Sequence, residues 1–215
     1  LAIFYNQKKQ KIQKSVEITE LYIKETVNKM LHLMYVYENL FDSKQIGLNK
    51  ISLLNYMLSK INNKDKIKFT NEEAERLFSK KETEYLNKVF ILSDVDFDNL
   101  LLFEYRNINS FNELLYSYSD CFEKYYNLKY DSQKRIIIKS MKNNVDNLCD
   151  NILDILECIS LYFNNDIADK NTAYPSMHKT FLSFVTFFYF KMNNIHYPNI
   201  RKIYNDWLEK YNKGI

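Results

Sequence analysis

His32, His178 and His196 are the only histidines of this chain, and Arg76, Arg106, Arg135 and Arg201 its only arginines. Acid–base, metal or phosphate chemistry has to be built from this short inventory. No pair of histidines has HxxxH or HExxH spacing, so the helical metal motif is absent. His178 stands near Asp166 and Asp169 in sequence and one turn into an expected helix, which makes it a candidate metal ligand or acid–base residue. A hydrogen-bonded histidine at a helix start is the plainer reading of the same position. No G-x-S-x-G and no locally paired catalytic carboxylates occur.

Arg106 lies in "EYRNINSFNE". In the helical ribonucleases of toxin–antitoxin and CRISPR systems, an Arg–polar pair is followed a few residues later by a His. Here Ile, Asn, Ser, Phe, Asn and Glu follow, so that motif lacks its key residue. Arg106 beside Glu104 and Glu113 reads instead as an ion pair. Arg106 and His178 are therefore weak functional candidates, and only a fold that brought them together would support an RNA-cleaving site. "SDVDFDN" places Asp94, Asp96 and Asp98 in alternation like a calcium loop. It lacks the central Gly and the closing Glu, and acids gathered at a helix N-terminus explain it better. The tyrosines of "LLYSYSDCFEKYYNLKY" could stack on single-stranded nucleic acid. Only Lys124 and Lys129 interleave with them, so packing is the default.

Composition narrows the class further. Only Gly47 and Gly214 are glycines, so Rossmann and P-loop phosphate cradles are excluded. With only two prolines as well, a turn-rich β-sandwich or barrel is disfavoured. The net charge of +3 is mild, and the cations are mostly Lys. Arg is the better bidentate reader of phosphate and guanine, so no specific nucleic-acid partner is expected. The abundance of Lys, Asn, Ile, Tyr and Phe is what AT-rich codons supply. Cys121, Cys149 and Cys158 are odd in number and form no CxxC, which points to a reducing compartment without disulfide or zinc. No cofactor is implied.

These residues must be positioned by helices. Ile12, Val16, Thr19, Ile23, Thr26, Met30, Leu33 and Tyr37 alternate steps of four and three, the seam of a long helix from about Phe4 to Phe41. Gly47 marks a turn, and Leu48 to Ile61 forms a short amphipathic helix. Thr70 with Glu73 is a capping box opening a helix to about Leu92. A second box, Ser110 with Glu113, opens another. Asp131 or Ser132 caps a long helix to Phe163. Pro175 is placed in the first turn of a helix running to about residue 192, and Pro198 opens the last helix, which ends at Gly214. The apolar run Thr180–Phe190 is too short for a bilayer, which needs about 20 residues, and reads as a core helix. The expectation is an all-α fold: a single bundle of about seven or eight helices with a long N-terminal helix. Residues 1–41 form that helix, continuous with a helical domain over 42–215. Val145, Leu148, Ile152, Leu156, Phe181, Phe184, Val185 and Phe188 are the expected core.

Two stretches carry a family likeness. "LAIFYNQKKQKIQKSVEITELYIKETVNKM" and "AYPSMHKTFLSFVTFFYFKMNNIHYPNIRKIYNDW" resemble parts of a family of uncharacterised bacterial membrane-anchored proteins. The likeness of the second rests on Tyr174, Ser176, His178, Phe181, Asn194, Tyr204 and Trp207. What the resemblance implies is topology: one N-terminal transmembrane segment, a basic junction and a cytoplasmic helical domain.

"LAIFY" followed by Lys8, Lys9, Lys11 and Lys14 agrees with that implication. Cationic residues flanking a membrane span are retained on the cytoplasmic side. The chain is therefore expected to be anchored by a preceding single span, with the domain facing the cytoplasm. The expected role is a non-enzymatic interaction or sensing domain with an unidentified protein partner. A phage-defence or toxin-type ribonuclease and a helical small-ligand or metal binder are the alternatives. Thr19 and Thr26 are poor dimer-core residues, so the seam is expected to support at most a weak parallel homodimer.

Overall fold

The computed structural model describes residues 2–61, 64, 66–91, 131–194 and 196–214. Among these residues all regular structure is helical, as the composition requires. The calcium-like "SDVDFDN", Arg106, the Ser110–Glu113 box and the tyrosine cluster lie outside the described residues.

Helix α1 (Ala2–Leu21) passes through one π-helical turn (Tyr22–Val27) into α2 (Asn28–Leu40). The burial pattern accounts for that turn. Ser15, Ile18, Tyr22, Thr26, Met30, Leu33 and Tyr37 are buried. The successive four-residue steps from Tyr22 to Thr26 to Met30 would drift around a helix of 3.6 residues per turn. One wider turn keeps them on a single face. The expected seam is split as a result. Thr26, Met30, Leu33 and Tyr37 join the chain's own core, whereas Ile12, Val16 and Ile23 face outward. Two copies therefore cannot pair along the whole seam.

Gly47 (φ +76°) closes a short 3-10 turn, Ser43–Ile46. The amides of Gly47 and Leu48 bond back to the carbonyls of Lys44 and Ser43, each at 3.0 Å. Helix α3 (Leu53–Ile61) starts later than the expected Leu48 because its cap is Ser52, whose Oγ accepts from the Asn55 amide at 3.2 Å. The Glu38 carboxylate takes the amides of Leu53 and Leu54 at 2.6 and 2.8 Å, so α2 also caps α3.

The helix expected from Thr70 to Leu92 is in fact two, α4 (Asn71–Leu77) and α5 (Lys80–Ile91). Thr70 caps α4 as the sequence indicates, accepting from the Glu73 amide at 3.3 Å. The break is a further capping box. Ser79 Oγ accepts from the Glu82 amide at 3.3 Å, and Glu82 Oε2 accepts from the Ser79 amide at 2.5 Å.

Helix α6 (Asp131–Asn164) matches its expected span. It ends in a Schellman motif: Asp166 adopts φ +58°, and the amides of Asp166 and Ile167 bond to the carbonyls of Phe163 and Tyr162 at 3.3 and 3.0 Å. Helix α7 (Lys170–Phe187) begins before Pro175, which lies inside it and not in its first turn. The reason is Asp169, whose carboxylate accepts from the Asn171 amide at 3.0 Å and from the Thr172 hydroxyl at 2.8 Å. The helix expected to reach residue 192 breaks at Phe188 and resumes as α8 (Tyr189–Asn194). Helix α9 (Pro198–Asn212) opens on its proline as expected, and Gly214 (φ +68°) follows its end.

Every residue from Phe184 to Phe190 is buried. Around this run the aromatic rings make one network. Tyr37 stacks on Phe90 with centroids 5.2 Å apart and meets Phe188 edge-on at 5.1 Å. Phe78 packs on Phe190 at 5.2 Å, and Phe69 lies between Tyr189 and Tyr204, 5.3 Å from each. Of the expected core, Leu148 is half-buried and the others are fully buried.

Two outcomes follow from this packing. Phe188→Ala should cost about 3–5 kcal/mol in urea unfolding, the usual loss for a buried aromatic. Leu31→Ala, at a 53% exposed position, should stay within about 0.5 kcal/mol. The second outcome concerns acid. Burial pushes the Glu82 carboxyl up, but hydrogen bonding from Ser79 and the charge of Lys60 help outweigh it and hold the group below its ordinary 4.5. A lowered folded pKa contributes stability that is complete above the unfolded pKa and is lost as the pH falls through the folded one. Glu82→Gln should therefore cost about 1 kcal/mol at neutral pH, and its deficit should shrink in melts taken progressively below pH 4.5.

Candidate functional site

The described functional candidate, His178, sits where the start of α7 meets the end of α9. Tyr174 and His178 are four residues apart on α7, and Trp207 and Tyr211 four apart on α9, so each helix presents an aromatic pair on one face. Trp207 is buried against Phe181, Phe163 and the edge of Tyr174, at 5.0, 6.0 and 5.8 Å between ring centroids. That contact fixes the Tyr174 ring. His178 stacks on it at 4.3 Å, nearly parallel, with an interplanar angle of 17°.

The tautomer of the imidazole follows from its partner. His178 Nδ1 is 2.7 Å from the Tyr174 carbonyl oxygen. A carbonyl only accepts, so Nδ1 is the donor, which leaves Nε2 as the ring's other polar atom. Lys210 Nζ stands 4.1 Å from the Tyr174 centroid, a cation–π contact. Among the described residues Lys210 has no carboxylate within ion-pair distance. Tyr211 is 6.1 Å from His178 and 49% exposed. Burial raises the Tyr174 hydroxyl above its usual pKa, and nearby Tyr211 adds to the effect. With Pro175 and Gly214 these groups line an open cleft of about 460 Å³.

Among the described residues the lining holds one lysine, a histidine and aromatic faces, and neither an Asp or Glu nor a serine or cysteine nucleophile. It is equipped for binding. Among the described residues, no group of three His, Cys, Asp or Glu is placed to hold a metal ion. Asp169, near His178 in sequence, spends its carboxylate on the α7 cap. Arg106 lies outside the described residues, so its pairing with His178 is not drawn. Lys210 and Tyr211 went unrecognised in the sequence. The signal was the matched four-residue spacing of Tyr174–His178 and Trp207–Tyr211.

The four N-terminal lysines divide into two kinds. Lys11 forms an ion pair with Asp166, and Lys14 pairs with Glu17 at 3.3 Å and approaches the Tyr162 ring at 6.0 Å. Lys8 and Lys9 are exposed. Ahead of them Ile3, Phe4 and Tyr5 are 73, 78 and 71% exposed on the same helix. Ser15 ties α1 to the start of α7: its Oγ accepts from the Asp169 amide at 2.6 Å and lies 3.0 Å from the Asp169 carbonyl. Among the described residues no helix is long and apolar enough to cross a membrane. No family model, curated protein or solved structure matches the chain.

Proposed function

We propose that this chain is a helical interaction domain held at a membrane surface by the N-terminal end of α1, with the bundle on the cytoplasmic side. The observation that carries the reading is the exposure of Ile3, Phe4 and Tyr5 directly ahead of the exposed Lys8 and Lys9. Water disfavours three adjacent large apolar side chains, and an acyl boundary accommodates them. The two lysines then stand at the depth of anionic headgroups. Among the described residues the polar contacts of α1 with the bundle begin at Lys11 and Ser15, which leaves its exposed first turns for the bilayer. The resemblance to membrane-anchored helical proteins supports the same placement, whether these turns end a transmembrane span or lie in the interface. A weak homodimer would use the outward residues Ile12, Val16 and Ile23, since Thr26, Met30, Leu33 and Tyr37 of the seam are buried.

The chain should sediment with vesicles containing phosphatidylserine and release them as salt is raised. Each lysine contributes about 1 kcal/mol near an anionic leaflet, so Lys8→Gln with Lys9→Gln should weaken partition roughly twenty- to thirtyfold. Phe4→Asp should weaken it in neutral vesicles too. A chain that stays in the supernatant at low salt refutes the membrane contact.

Topology is tested separately in cells expressing the full-length protein. Protease should digest the domain only after the cells are opened. Digestion in intact cells refutes the cytoplasmic placement.

A further inference from the structure

The cleft between α7 and α9 stands on residues separate from the exposed end of α1. We propose that it binds a small planar organic anion: one aromatic ring bearing a single carboxylate.

The charge of the ligand follows from Lys210. Among the described residues no Asp or Glu lines the cleft and Lys210 has no carboxylate partner. Among the described residues its ammonium meets the Tyr174 ring, a weak substitute for an anion. A carboxylate beside Lys210 would supply the missing counter-charge. His178 reinforces the choice. Its Nδ1–H is committed to the Tyr174 carbonyl, so the ring orientation is set, and uptake of a proton at Nε2 would give the anion a second charged donor.

The shape of the ligand follows from the walls. Tyr174, His178 and Tyr211 present aromatic rings, and Pro175 adds an apolar edge. The Tyr211 ring is tilted 44° from that of His178 and is half exposed, so the gap between them opens toward solvent. A flat ring entering there gains stacking that an aliphatic chain does not. The volume of about 460 Å³ lies within the range of small-molecule sites. The single lysine limits the ligand's charge. Nucleotide polyphosphates require several cations or a glycine-rich cradle of backbone amides, and neither lines this cleft.

Trp207 is the chain's only tryptophan and lies edge-on to Tyr174 at 5.8 Å, so its single indole N–H resonance reports on the site. Titration of the protein with benzoate should shift that resonance saturably, with Kd roughly 0.1–10 mM for so small a ligand. Benzamide, which keeps the ring without the charge, and cyclohexanecarboxylate, which keeps the charge without the aromatic face, should each bind at least about fivefold more weakly. Lys210→Met should weaken benzoate at least about tenfold, and Lys210→Arg should retain binding within about threefold. Tyr211→Ala, at a half-exposed position, supplies a variant that leaves the core intact and should also weaken it. No saturable shift with benzoate overturns the proposal. Equal binding of benzamide overturns the anion requirement, equal binding of cyclohexanecarboxylate the aromatic one, and unchanged affinity in Lys210→Met the assignment of the charge.

Discussion

A backbone that buries every side chain from Phe184 to Phe190 must be enclosed on all sides. An amphipathic helix hides one stripe and can lie on a surface, whereas this segment has no polar face to offer water. The other helices are arranged to meet that demand. Tyr37 of α2 and Phe90 of α5 cover Phe187 and Phe188, and Phe78, at the end of α4, covers Tyr189 and Phe190. Thr186 Oγ1 lies 2.7 Å from the Tyr204 hydroxyl and the Tyr189 hydroxyl donates to Glu73 Oε2 at 3.3 Å, so both hydroxyls in the run are matched by elements that pack on it. The break at Phe188 redirects the chain within the core while keeping backbone bonds on both sides: the Phe188 amide reaches the Phe184 carbonyl and the Met192 amide the Phe188 carbonyl, each at 2.9 Å.

Enclosure brings helix ends into the interior, where unpaired amides are costly. Carboxylates from neighbouring elements meet several of them. Glu38 of α2 receives the first amides of α3, and Glu157 of α6 receives those of Asn199 and Ile200 in α9, at 3.0 and 2.9 Å. Glu73 receives the amides of Lys68 and Phe69 at 2.7 and 2.9 Å. The last case holds a strained residue. Phe69 has φ +55°, a conformation that a bulky side chain rarely adopts, and its ring is buried between Tyr189 and Tyr204. Aromatic contact and charge-assisted hydrogen bonds together offset that strain. These acids fix angles between helices, which apolar packing alone leaves loose.

Much of the fold was legible where local chemistry and tertiary demand agree. The span of α6, the Thr70 cap, the turn at Gly47 and the proline start of α9 all follow from neighbouring residues. The errors arise where a local signal was outvoted or overlooked. Pro175 marked a helix start, but Asp169 caps the chain earlier. Ser79 with Glu82 is the same capping box as Thr70 with Glu73, hidden by a continuous apolar stripe across the break. The split of the N-terminal seam was beyond reach of periodicity alone, because a π turn is selected by what the helix packs against. The candidate site was half legible. His178 and Tyr174 carried a recognisable local pattern, whereas Lys210 looked like a routine cation in a last helical turn. Its significance comes from the Tyr174 ring beneath it, and that contact spans the bundle.

The two proposed functions meet in one short stretch of backbone. Asp166 turns the chain out of α6 and pairs with Lys11, and Asp169 caps α7 while bonding to Ser15. Lys11 and Ser15 thus clasp the turn between α6 and α7 from the side of α1 that leads to the exposed Ile3, Phe4 and Tyr5. Tyr174 and His178 stand on the first turns of α7, directly after that clasp. A ligand beside His178 and a membrane contact at Phe4 would therefore bear on opposite ends of the same joint. Coupling between them can be no larger than the difference in affinity each has for the joint's alternative arrangements. The joint's parts limit that difference. Lys11–Asp166 is a partly exposed pair, which salt screens and which contributes little, whereas the Ser15–Asp169 bonds are shielded by a buried serine side chain. Of the two clasping contacts, Ser15 with Asp169 is the one that water does not readily replace, and the Tyr22–Thr180 hydrogen bond at 2.9 Å extends the same contact with α7 further along the N-terminal helix.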